Sequence, residues 1–288
     1  MEEVWKEFNQ TRLDKVIKNR FGKSIPQSMI EKALRNKDIL INGARANASD
    51  KVTDDIEIFI HPTIMKLFQG FAVKLHIDSH PHLVEKFKEL IVYEDDNLII
   101  IDKPSGLAVQ KGSKTDMAVD IMAKAYNEHA RLVHRIDKDT SGITILAKGA
   151  KMARYMLLLF QNKMIEKRYN AIVTGVLPSK AGIVDSPLLK IPERVIIDPL
   201  KGKNAITKYR ILRTYGKYSL ISAIPITGRT HQIRVHMASL GCPIFGDTKY
   251  GGQKFKHLCL HAEYVSFREI NGDKVCIEIP VPEYFPSF

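Results

Sequence analysis

The stretch Ile91-Val92-Tyr93-Glu94-Asp95-Asp96-Asn97-Leu98-Ile99-Ile100-Ile101 decides the fold class. Two apolar, β-branched runs flank four polar residues, which is the pattern of a hairpin. Further along, Ile143–Ala147 reads as another β-branched strand. Met152, Ala153, Met156, Leu157 and Phe160 recur at helical spacing. Tyr169, Ala171 and Val173 alternate with Arg168, Asn170 and Ile172 on the next strand, and Ile233, Met237 and Leu240 mark a later helix. Hairpins outnumber strand–helix–strand units. The expectation for residues 91–288 is therefore an α+β domain, a mostly antiparallel mixed sheet with helices packed on it.

Residues 1–60 read as a separate, smaller α/β module. Leu13, Val16, Ile17 and Phe21 fall at helical spacing on a short basic helix. Pro26 suits a helix start, with Ser24 as its cap, and Ile30, Ala33 and Leu34 give a second stripe. Ile39-Leu40-Ile41 then meets Asn42-Gly43, the strongest short hairpin signal, and Ile56–Ile60 alternates as a strand. Residues 61–90 read as a linker, holding Pro62, Gly70, Pro81 and four of the ten histidines, His61, His76, His80 and His82. Their spacing fits no tight metal-ligand pattern.

The 288-residue length fits about two domains. With 44% apolar and 26% charged residues, the composition excludes fibrous and wholly disordered classes. No apolar run approaches the ~18 residues that would span a bilayer. Met1-Glu2-Glu3 opens the chain without an apolar region behind it, so no secretory signal is expected. Three cysteines, Cys242, Cys259 and Cys276, make no disulfide framework and suit a reducing cytoplasm. The net charge of +12 points to a polyanion partner. That charge is clustered. Residues 11–45 carry nine Lys/Arg against three acids, residues 131–210 sixteen against six, and residues 257–288 two against five. Clustering favours a directional basic surface, although a solvated face would carry the same residues.

Two motifs fail on inspection. Gly22-Lys23-Ser24 imitates the end of a phosphate-binding loop, but Ile17 stands where that loop needs glycine. His134-Arg135-Ile136-Asp137 imitates a kinase catalytic loop, with one residue too many before the acid and no glycine-rich loop upstream. The whole segment from Leu132 to Gly142 is another matter. His134-Arg135-Ile136-Asp137-Lys138-Asp139-Thr140-Ser141-Gly142 packs acids, bases and hydroxyls into the lead-in to an apolar strand, a density that a strand does not need. A glycosidase pair made of Asp137 and Asp139 is disfavoured. Such carboxyls flank the scissile bond ~5 to ~9 Å apart and usually come from different elements.

These residues resemble the central motif of the RluA-type pseudouridine synthases. Further elements follow in that family's order. They are Asp102-Lys103-Pro104-Ser105-Gly106-Leu107-Ala108-Val109, Lys167-Arg168-Tyr169-Asn170-Ala171-Ile172-Val173-Thr174-Gly175, Gly228-Arg229-Thr230-His231-Gln232-Ile233-Arg234-Val235-His236, and Gly246-Asp247-Thr248-Lys249-Tyr250-Gly251. Leu258-Cys259-Leu260-His261-Ala262 closes the set. The family often has asparagine at position 102, where this chain has Asp102. Ahead of them, Arg12-Leu13-Asp14, the helix from Ser24 to Asn36, residues 39–43 and Asp54-Asp55 resemble the S4 RNA-binding domain, a common companion of that catalytic domain.

The resemblance implies an isomerase that detaches uracil from C1′ of a uridine in RNA and rejoins it through C5. It implies Asp137 as catalytic carboxylate, Arg234 as its paired cation and Tyr169 as the active-site tyrosine, stacking on the base or helping to move the C5 proton. It implies Arg135 as the side chain that fills the stack left by the flipped base. Lys103, His134, Arg12 and Lys15 are further candidates for RNA contact. No cofactor, nucleotide or metal is expected, and neither is a membrane partner; the protein is expected to be a monomer. Alternate residues His257, Cys259 and His261 lack an obvious fourth ligand, so a core strand explains them better than zinc. Lys103-Pro104-Ser105-Gly106 and Ser186-Pro187-Leu188-Leu189-Lys190 look most like enzymes acting on bacterial large-subunit ribosomal RNA. A transfer RNA or another ribosomal site, or an RNA-binding protein without catalysis, are the alternatives.

Overall fold

The structure, a computed structural model, describes residues 10–22, 25–53, 56–68, 81–112 and 117–286. The chain divides into two compact units, Met1–His80 and Pro81–Phe288. The Ser24 cap, Asp54-Asp55, His76 and His80 lie outside the described residues.

In the first unit, β1 (Thr11–Arg12) leads into α1 (Leu13–Phe21) and α2 (Gln27–Arg35). Then come β2 (Ile39–Ile41), β3 (Ala44–Arg45), β4 (Lys51–Val52), β5 (Ile58–Ile60) and the helical residues 62–68, α3. β2 lies between β3 and β5, both antiparallel to it. Asn42 and Gly43 both take positive φ, 48° and 73°, as a tight primed turn requires, so the signal read from the sequence is realised in the backbone. The helical stripes converge on one core of Leu13, Val16, Ile17, Phe21, Ile30 and Leu34, closed by Ile39, Val52 and Phe68.

The second unit opens with α4 (Pro81–Lys88), inside the stretch expected to be linker. Leu83, Phe87 and Leu90 recur at helical spacing, and Phe87 is fully buried in this unit's core. The expected hairpin follows as β6 (Ile91–Glu94) and β7 (Leu98–Lys103). Next are α5 (Val119–Tyr126), β8 (Ala130–Leu132), β9 (Ser141–Lys148), α6 (Ala150–Gln161) and β10 (Glu166–Thr174). β11 (Ala181–Asp185), β12 (Leu188–Lys190), β13 (Val195–Ile197), β14 (Ile206–Tyr215) and β15 (Tyr218–Pro225) precede α7 (Gln232–Ser239). β16 (Leu260–Arg268) and β17 (Lys274–Glu278) end it.

Ten of these strands form one sheet with the order β11-β14-β15-β10-β16-β9-β7-β6, to which β17 and β8 add at β16 and β9. Every neighbouring pair is antiparallel except β9 with β16, where Ser141 and Gly142 sit beside His261 and Ala262. This is the expected mostly antiparallel mixed sheet of an α+β domain. The parallel step demands a close approach. Gly142 has φ 109°, and a Cβ there would lie 2.3 Å from the Ala262 carbonyl oxygen. Only glycine lets β9 begin so close to β16, and β9 begins where the 133–140 loop ends.

Candidate active site

The 133–140 loop joins β8 to β9 and is fixed from behind. Lys103, the last residue of β7, is fully buried. Its Nζ donates to the carbonyls of Pro104 (2.9 Å), Leu107 (2.8 Å) and Lys138 (2.9 Å). Three N–H bonds of one ammonium meet three acceptors. Burial lowers this lysine to about 8, which still leaves it charged at neutral pH. The expectation that Lys103 contacts phosphate is therefore corrected: its charge ties the first motif to the loop. The Gly106 N–H also reaches the Lys138 carbonyl (2.9 Å), and Ser105 Oγ donates to the Asp139 carbonyl (2.7 Å).

His134 is likewise engaged. Its Nε2 accepts the Ile145 N–H at 2.8 Å, and its ring stacks on Phe160 with centroids 4.7 Å apart. Burial, with Lys167 nearby, drives it down to about 3, so it is neutral. It lines the cavity described next, but it brings no positive charge for a phosphate. Arg135 is exposed and lines the same cavity.

The loop thus presents Asp137 to a cavity of about 840 Å³ walled by the loop, the end of α6, β10, residues 224–231 and the start of α7. Arg234 on α7 reaches Asp137 Oδ2 through Nη1 at 3.6 Å. Its planar fork is spent elsewhere. Nε and Nη2 each donate to the Asp247 carboxylate at 2.7 Å, and both side chains are buried. The pairing expected of Arg234 is present, with the bidentate partner being Asp247 rather than Asp137. A bidentate, buried acid aims the guanidinium and keeps its charge matched. His231 Nε2 stands 3.8 Å from the same Oδ2. Neither Asp247 nor His231 was singled out in advance. The signal available was their place in the two matched motifs; the pairing itself joins residues thirteen apart through a turn that no periodicity predicts.

The sequence marks α7 by three apolar positions, Ile233, Met237 and Leu240. In the structure Gln232 through Met237 are all buried. The polar members find partners: Gln232 bonds Thr227, Thr207 and the Ile206 carbonyl, and His236 bonds Thr207 and the Ser186 carbonyl. A helix so enclosed holds Arg234 rigidly.

Tyr169 enters the cavity from β10 beside Lys167. A bulge at Glu263 of β16 shifts the register at this point, and that carboxylate takes Arg168 (3.2 Å) and Asn170 from the opposite face of β10. The alternation leaves Lys167 and Tyr169 facing the cavity. Burial, and then the negative charge of Asp137, raise the Tyr169 phenol well above its ordinary value, so it stays protonated. Such a phenol donates a hydrogen bond and offers a stacking face; it does not start as a base.

In the first unit Lys15 is exposed, while Arg12 is half exposed and paired with Asp14 at 2.8 and 3.1 Å. His261 is buried and bonds Ser141 Oγ at 2.9 Å, and Cys259 is buried with its thiol raised to about 12, both as members of the core.

The cavity thus sets Asp137, with a guanidinium fixed behind it, among Arg135, Lys163, Lys167 and Arg229, a lining that suits an anionic ligand. The family described as RNA pseudouridylate synthase matches residues 97–239, which span the Asp137 loop, Tyr169 and Arg234. A protein of Rickettsia bellii named "Ribosomal large subunit pseudouridine synthase C" is 39% identical over 96% of this chain and 96% of its own. One of the same name from Vibrio parahaemolyticus is 36% identical over 94% of this chain and 89% of its own. Among solved structures, "Human RNA Pseudouridylate Synthase Domain Containing 4" is similar with a TM-score of 0.61 and 27% identity, covering 71% of this chain and 93% of that one. The chain belongs to the RNA pseudouridylate synthase family.

Proposed function

We propose that this enzyme converts uridines of large-subunit ribosomal RNA to pseudouridine, with Asp137 as the catalytic carboxylate. The observation that carries the reading is Asp137 itself. It lines the cavity, reached by Arg234 at 3.6 Å, in a chain 39% identical to a relative bearing a ribosomal large-subunit name.

The reaction breaks the bond from C1′ to N1 of uracil and forms one from C1′ to C5; the C5 proton leaves to solvent and N1 takes one up, so the product is an isomer of the substrate. It is an isomerisation, so it needs no redox equivalent and no nucleotide cofactor. Asp137 acts on the ribose, either at C1′ or on a sugar proton, and both roles need an ionised carboxylate. Arg234 Nη1, 3.6 Å from Oδ2, holds that carboxylate in place. The uridine must leave its stack, at a cost of a few kcal/mol. Arg135, exposed at the cavity mouth, has the planar cation that fills a vacated stack. Tyr169 receives the flipped base against its ring, and its phenol donates to the uracil rather than accepting the C5 proton.

The first unit is read as an S4-like RNA-binding module. Its exposed Lys15, Arg20, Lys32 and Arg35 on two adjacent helices support that reading. The test is a map of pseudouridines in ribosomal and transfer RNA from cells with and without the gene. Loss of defined sites in large-subunit RNA, restored by the wild-type gene, is expected. Unchanged large-subunit RNA would overturn the substrate assignment.

A further inference from the structure

Asp137 Oδ2 has two cationic or N–H neighbours, and both lead back to one short turn. The 3-10 helix Thr248–Tyr250 follows directly on Asp247. Asp247 grips Arg234, whose Nη1 lies 3.6 Å from Oδ2. Tyr250, three residues later, grips His231, whose Nε2 lies 3.8 Å from that same oxygen. His231 is the residue that precedes α7, and Arg234 lies three residues on, in the first turn of the helix.

The partners of Tyr250 bear on which tautomer His231 adopts. Tyr250 Oη accepts the Val195 N–H at 3.0 Å. It lies 2.6 Å from His231 Nδ1. A phenol has one proton, and a backbone N–H can only donate. The phenol proton is the one that Tyr250 has to give, and the tautomer in which it donates to His231 Nδ1 puts the ring proton on Nε2, facing Asp137; that tautomer is the one the proposal adopts. The Tyr250 ring meets the imidazole edge-on with centroids 5.5 Å apart, which limits ring rotation. Burial favours the neutral imidazole and the protonated phenol, in keeping with this assignment.

His231 also holds an unusual backbone. Its φ of 54° and ψ of 19° are left-handed, in a residue that is not glycine. Such a conformation is strained and persists where the surroundings over-determine it. Here it turns the ring from the helix start toward Asp137.

We propose that His231 is a second positioning arm on the catalytic carboxylate: held as its Nε2–H tautomer by Tyr250, it fixes Asp137 Oδ2 together with Arg234 and leaves Oδ1 to act on the ribose. The 3.8 Å approach is longer than a hydrogen bond and closes when the nucleotide seals the cavity. This inference rests on the reading of Asp137 as the catalytic carboxylate.

The test compares two neutral amides at one position in the full-length protein. His231→Gln can place a donor N–H where Nε2 stands. His231→Asn tolerates the left-handed backbone better but is too short to reach. Single-turnover tritium release from transcribed large-subunit RNA carrying [5-³H]uridine, filter binding of that RNA, and thermal midpoints are measured for both, with Tyr250→Phe and Asp137→Asn alongside. His231→Asn should slow turnover about 30-fold, and Tyr250→Phe about 10-fold, with RNA affinity held within about twofold. His231→Gln should recover to within about fivefold of wild type. A glutamine variant as slow as the asparagine one, near-normal turnover in His231→Asn, or losses that track affinity or thermal midpoint would overturn the arm. If Asp137→Asn itself turned over, the carboxylate reading would fail instead.

Discussion

The two units of this chain handle charge in opposite ways. Among the described residues of Met1–His80, one charged side chain, Asp14, is buried, and Lys15, Arg20, Lys32, Arg35, Lys37 and Arg45 are exposed. The Pro81–Phe288 unit buries Lys103, Arg234, Asp247 and Glu269, with His236 and His261. An exposed cation acts through solvent and is screened by salt; a buried one must be matched by acceptors or it destabilises the fold. The same residue type thus faces solvent in one setting and builds a site in the other. Net charge along the sequence does not distinguish these uses, which is why Lys103 was expected at phosphate and is found beneath the Asp137 loop.

The comparison breaks most visibly at the buried end. Asp247→Asn keeps the size of the side chain and removes the charge that holds Arg234's fork. Single-turnover rate should fall about 100-fold, with RNA affinity changed less than about twofold. Arg234→Lys should behave similarly, because one ammonium cannot hold Asp247 through two bonds and also reach Asp137. Losses seen instead in affinity and its salt dependence would make Arg234 a surface-type cation.

Lys103→Met tests the same idea through stability. The methionine fills the space but removes the three ammonium hydrogen bonds to the Pro104, Leu107 and Lys138 carbonyls. Urea unfolding of the purified protein should show a loss of roughly 3 kcal/mol, about one for each hydrogen bond removed. The sign with pH is also set. Burial lowers Lys103 from 10.5 to about 8, so the unfolded chain binds this proton more tightly. The residue makes stability rise with pH between those two values, and the methionine variant should lack that rise. An unchanged midpoint would mean that the ammonium is not needed under the loop.

The smallest effect belongs to the first unit. Lys15→Ala should weaken RNA binding only two- to threefold and lower the slope of log affinity against log salt by about one. Turnover of bound RNA should not change. If the slope is untouched, the exposed helix pair has no share in the RNA contact.

What the sequence made legible follows the range of the interactions. The β6–β7 hairpin, the Asn42-Gly43 turn and the stripes of α1 and α2 are local, and they stand where the periodicity put them; on α6 Met152, Ala153 and Met156 do so, while Leu157 is exposed and Leu159 is buried in its stead. Asp137, Tyr169 and Arg234 were found through their motifs, and the structure brings all three to one cavity. The pairing of Arg234 with Asp247, the hold of Tyr250 on His231 and the burial of Lys103 depend on contacts across the fold. For Lys103 a signal existed. Leu98-Ile99-Ile100-Ile101 is apolar on both faces, so a lysine extending that strand before Pro104 and Gly106 is directed inward rather than to solvent. The helical Pro81–Lys88 was hidden because proline and histidines at its start read as linker, although Leu83 and Phe87 are four apart.

Asp137 carries the whole account, and the most direct measurement is single-turnover tritium release by Asp137→Asn from [5-³H]uridine-labelled large-subunit RNA, paired with filter binding of that RNA. The substitution keeps size and shape and removes only the charge. The account predicts no detectable release with RNA affinity close to wild type. Substantial release by a homogeneous Asp137→Asn protein would contradict it.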